Sequence, residues 1–114
     1  MTLPEATEPH VAIVRAAVSS ANSVSGTLLA KQAINVRCNI RAMIELTPAI
    51  DAALMEMVDA CGMLEAALRL DFPVSASPAI DRARASALHA IGALERDLEA
   101  AKPSQEAIAL GLGW

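Results

Sequence analysis

The sequence predicts an all-α fold: a three-helix antiparallel bundle with an unusually long first helix and a short C-terminal helical tail, paired as a dimer. Three observations predict it. Apolar residues recur at steps of three and four along three separate stretches, the period of a helix with one buried face. Two Thr/Ser-Pro pairs, Thr47-Pro48 and Ser77-Pro78, mark helix starts, with a hydroxyl to cap and a proline where its missing N–H costs nothing. Hydrophobic residues make up 54% of the 114 but aromatics only 2%, so the core must be built from Ala, Leu, Ile, Val and Met. Such side chains suit close helix packing better than a sheet.

Residues 1–8, with Pro4, two Glu and two Thr, read as an extended lead-in, and Pro9 as the first residue of the first helix. That helix is expected over 9–46. Its stripe runs through Val11, Val14, Val18, Asn22, Ser25, Leu29, Ala33, Val36, Ile40 and Met43. The polar run from Ser19 to Thr27 is its weak point, because Ser, Asn and Gly all disfavour helix relative to Ala. Two accounts compete: the helix breaks near residues 25–27 and the chain forms a compact four-helix bundle, or it continues and the small residues admit a close neighbour. Continuity is favoured because the stripe resumes in phase from Val11 to Leu29.

The second helix, 48–70, carries the seam Ile50, Leu54, Met57, Cys61, Leu64 and Leu68, with Asp51 in the first turn facing the positive end of the dipole. After a loop with Phe72 and Val74, the third helix, 78–101, carries Ile80, Ala87, Ile91, Leu94 and Leu98. Its polar side alternates in sign and reads as a solvated face. Lys102-Pro103 stops it, Ser104 can cap a last short segment, and the tail 104–114 ends in the sole Trp114, expected to dock on the bundle or on a partner.

Charge and motifs exclude several functions. A net charge of −4 and a pI near 5.0 argue against a phosphate-binding surface, so no direct nucleic-acid contact is expected. No run of apolar residues is long enough for a membrane span, and the first residues have no signal-peptide pattern. A cytoplasmic protein is expected. Cys38 and Cys61 are read as buried free thiols, in keeping with a reducing compartment. His10 and His89 have no partner at a metal spacing, and Glu56 with Asp59 would make too poor an oxygen set for a cation, so no metal or other cofactor is expected. The serine run lacks an activating base, and Gly111-x-Gly113 has no following helix to receive a phosphate. No catalytic residues are assigned.

Excess apolar surface points instead to association. A first helix of 9–46 would be ~57 Å long, against ~35 Å for the second. Its first half would stand bare. A homodimer is expected through Val11, Val14, Val18 and Ser25, the small residues near Ser25 permitting close approach. Arg37, Arg41, Met55, Met63 and Trp114 are the expected contacts for a protein partner, cations and adaptable apolar groups on the outside of the bundle.

In length, acidic all-helical character, long first helix, Thr47-Pro48 and Ser77-Pro78 starts and absence of catalytic residues, the chain resembles the small helical quorum-sensing antiactivators of the QslA type. That resemblance implies a protein that binds a LuxR-type transcription regulator, occupies the surface it dimerises through and so blocks its DNA binding. A structural or assembly homodimer, such as a secretion or phage accessory protein, is the alternative. Arg15, Lys31, Arg37 and Arg41 also give the long helix a likeness to all-helical chorismate mutases. There Met43 and Ile44 stand where those enzymes need a late Lys, and the second helix has no early cation.

Overall fold

The computed structural model describes residues 3–22, 25–70 and 78–109. Five helices follow in order: α1 (Leu3–Ser20), α2 (Leu29–Met43), α3 (Pro48–Leu70), α4 (Pro78–Glu99) and the short α5 (Gln105–Ala109), with a 3-10 turn (Ser25–Leu28) between α1 and α2. No strand occurs among the described residues, only an isolated bridge between Ile44 and Pro103. α1 packs on α2 and α4, and α3 packs on the same two, so the four long helices close a ring. Neighbours run antiparallel, and the molecule is a slender body of 49 × 22 × 16 Å.

The expected rod over 9–46 is therefore two helices, and the bundle is four long helices rather than three. Burial decides the difference. Folding α1 back puts Val11, Val14 and Val18 at 2%, 1% and 0% exposure. At ~1.5 kcal/mol or more for each buried Val, that gains roughly 5 kcal/mol over a rod with these residues in water. The cost is small, because the polar residues at the break are poor helix formers in any case.

Side chains from the opposite half of the bundle finish both ends of the break. At the end of α1, the Arg84 guanidinium of α4 donates to the carbonyls of Val18, Ser19 (3.2 Å) and Ala21 (2.8 Å). A cation there also suits the negative pole of the helix. At the start of α2, where Leu28 offers no side-chain cap, the Glu65 carboxylate of α3 accepts from the Ala30 N–H at 3.5 Å. Within the turn, Gly26 N–H donates to the Asn22 carbonyl at 2.8 Å. A Cβ on Gly26 would run into Leu68 Cδ1, so glycine is what lets the turn lie on α3.

The lead-in reading of 1–8 is also corrected. α1 starts at Leu3 and carries Pro9 in its interior. Ala6 and Thr7 are buried at 6% and 3%, and Thr7 and Glu8 meet Leu98 and Glu99 at the end of α4. Pro9 itself is exposed, so its ring, which would clash in a packed helix, points outward.

The later helices match expectation closely. Every seam residue named for α3 and α4 is buried. Thr47 caps α3 by accepting from the Ile50 N–H at 3.2 Å. Past α4 the chain is clasped to the α2–α3 joint: Glu45 N–H donates to the Lys102 carbonyl (2.7 Å) and Ser104 N–H to the Met43 carbonyl (3.0 Å). The Ser104 hydroxyl donates to the Ala42 carbonyl (2.9 Å) and caps α5 by accepting from Ala107 N–H (3.0 Å). Ala107 is 1% exposed, so the first part of the tail docks in cis.

Candidate interaction surface

The residues expected to self-associate do not form an outer face. Val11, Val14 and Val18 lie in the core against α2 and α4, where no second copy can reach them. Ser25 opens the 3-10 turn, and its side chain lies outside the described residues. The four cations ascribed to one long helix are likewise separated. Arg15 of α1 pairs with Glu95 of α4, while Lys31, Arg37 and Arg41 belong to α2.

Three of the five expected partner contacts come together. Arg37 reaches across to Asp51 at 3.7 Å, which places it on the α2–α3 side of the bundle. Arg41 stands one turn further along the same face of α2, and Ile34 about one turn before. On α3, Met55 stands one turn beyond Asp51. Ile34 is 45% and Met55 37% exposed, so the face runs from an apolar end at Ile34 and Met55, through the Arg37–Asp51 pair, to Arg41. Arg37 Nε and Asp51 Oδ1 are buried atoms without a hydrogen-bond partner, so the Arg37–Asp51 contact leaves hydrogen-bonding capacity unused. The sequence reading missed Ile34. Its signal was its place off the Ala33, Val36, Ile40 stripe, a large apolar residue on the outer face.

Met63 lies two turns beyond Met55 along α3, where the surface turns toward α4. It is 70% exposed and sits in an open groove between α3 and α4. Ala60, Ala67 and Ala83 form the floor, and their small side chains let the two helices approach closely. One end of the groove is acidic, with Glu56 and Asp59, and the other carries Arg82. Trp114 lies outside the described residues.

Both cysteines are free thiols, as expected, but only one of them is buried. Cys61 is buried in the core, and burial pushes its pKa up to about 11. Cys38 is exposed, because it falls between Val36 and Ile40 on the side of α2 turned from the core. Among the described residues, no three His, Cys, Asp or Glu come together as a metal set. No described helix is long and apolar enough to cross a membrane.

Comparison with protein-family models, curated proteins and solved structures returns no match.

Proposed function

We propose that the protein is a binding inhibitor that docks a protein partner on its α2–α3 face, as the resemblance to quorum-sensing antiactivators implies. The observation that carries this is the grouping of Arg37 and Arg41 with exposed Ile34 and Met55 on a chain of net charge −4. Two forked cations beside two apolar side chains suit an amphipathic helix whose polar edge bears carboxylates. The partner class is a LuxR-type transcription regulator in the cytoplasm, and occupation of its dimerisation helix keeps it from DNA.

The test is capture from the native host with the full chain, followed by DNA-binding assay of whatever protein is retained. A regulator held in stoichiometric amount, released from its DNA by the wild type but not by Arg41→Glu or Met55→Lys, supports the reading. Both substitutions fall on exposed positions, Met55 at 37%, and an unchanged helix content by circular dichroism is the accompanying control. A captured protein that binds wild type and both variants equally, or no regulator at all, overturns it, and self-association alone favours a structural homodimer.

A further inference from the structure

We propose that the α3–α4 face pairs two copies of this chain, antiparallel, about a two-fold axis lying across both helices at the level of Met63 and Ser86. This surface adjoins the α2–α3 docking face along α3, where Met55 stands one turn before Asp59, but the pairing does not rest on that docking.

The argument rests on how the charges are distributed about the centre of the groove. Ala60, Met63 and Ser86 line both parts of the groove, so its middle lies at their level. On α3, Asp59 stands one turn from Met63. On α4, Arg82 stands one turn from Ser86, in the opposite direction along the groove because the helices are antiparallel. Each is therefore within ~6 Å of the middle, one toward each end. A two-fold axis across both helices lays each helix on its own image and carries the acidic end of one copy onto the basic end of the other, so Asp59 and the partner's Arg82 come to the same end, diagonally across neighbouring helices, and the pair occurs twice. An isologous contact requires this self-complementarity, whereas a groove for a foreign helix has no need of it.

The apolar middle fits the same arrangement. Met63, the most exposed of the large hydrophobic residues among those described, meets its own image at the axis, and an unbranched thioether can repack against itself. Ala60 and Ala83 beside it leave room for that approach. A parallel pairing would instead set Asp59 against Asp59 and Arg82 against Arg82, which electrostatics disfavours.

Sedimentation of the full chain over a range of concentrations tests the proposal. The wild type is expected to pass from 11.9 kDa to twice that mass as concentration rises to about millimolar. Met63→Lys is expected to remain monomeric, with unchanged helix content because the side chain is largely in solvent. Asp59→Arg and Arg82→Asp should each weaken dimerisation at least ~10-fold, and the two together should bring it back to within a few-fold of wild type. A wild type that stays monomeric overturns the proposal, as does a face that takes up only a foreign protein. A dimer indifferent to Met63→Lys and to the charge exchange overturns the assignment of the face. Arg41→Glu, on the α2–α3 side, should leave the dimer intact.

Discussion

Arg84→Ala should be among the most damaging substitutions of any surface charge in this protein. The side chain gives hydrogen bonds to three carbonyls at the end of α1, two of them in partly buried positions. A bond from a charged donor contributes about 1.5–3 kcal/mol when sheltered and less where water can replace it. Counting the two sheltered bonds near the low end, and adding about 0.5 kcal/mol for a cation at a helix C-terminus, the loss comes to roughly 3–4 kcal/mol. Against a typical total of about 5–15 kcal/mol this is a large share. In urea, with a slope of about 1–3 kcal/mol per molar, the unfolding midpoint should fall by roughly 2 M. Arg84→Lys keeps the charge but not the planar fork, so it should recover only part of the loss. Arg96→Ala, at an exposed position on the same helix, should stay within about 0.5 kcal/mol of wild type and serves as the control. An Arg84→Ala protein that unfolds at the wild-type midpoint would refute the claim that α4 holds the end of α1.

Other consequences can be checked by the same or simpler means. Gly26→Ala drives a methyl into Leu68, which is itself only 4% exposed, and should cost about 1–3 kcal/mol in urea unfolding. Thr47→Ala removes the α3 cap and should cost about 1 kcal/mol, with the earliest α3 amides losing protection in hydrogen exchange. At pH 8 a disulfide reagent should titrate Cys38 quickly and reach Cys61 only on unfolding, since one thiol is exposed and the other is buried. Stability should be level below pH 9 as far as Cys61 is concerned, then fall as pH rises toward about 11, because the unfolded chain releases a proton that the folded one retains. Cys61→Ala should abolish that fall, and an unchanged alkaline slope in this variant would assign the effect elsewhere.

Much of the fold was legible because α3 and α4 declare themselves locally. Each has a proline start, an acid in its first turn and a seam in one phase along its whole length. The break in the first expected rod was not legible, for a reason that can be named. The apolar stripe keeps its phase from Val18 to Leu29, so periodicity cannot separate one rod from two helices folded back to back. What fixes the break is held far away in sequence, in Arg84 and Glu65, and their roles exist only once α3 and α4 are in place. Of the candidate surface, the exposed Arg41 and Met55 and the half-buried Arg37 could be picked from helix faces alone. Their separation from Met63 could not, because it depends on which neighbour lies on each side of α3.

The clasp that joins residues 43–45 to 102–104 also sets how the molecule would bear a pull on its two ends. Tension entering through α1 and α2 passes directly from the Met43 carbonyl and Glu45 amide into Ser104 and Lys102, and leaves through α5. The clasp bypasses the covalent path through the α3–α4 hairpin, which stays held to α1 and α2 by the ring packing until the clasp parts. Stretching a single molecule should accordingly give an early rupture at the clasp before the hairpin extends, and Ser104→Ala should lower the force of that first event while leaving the second where it was.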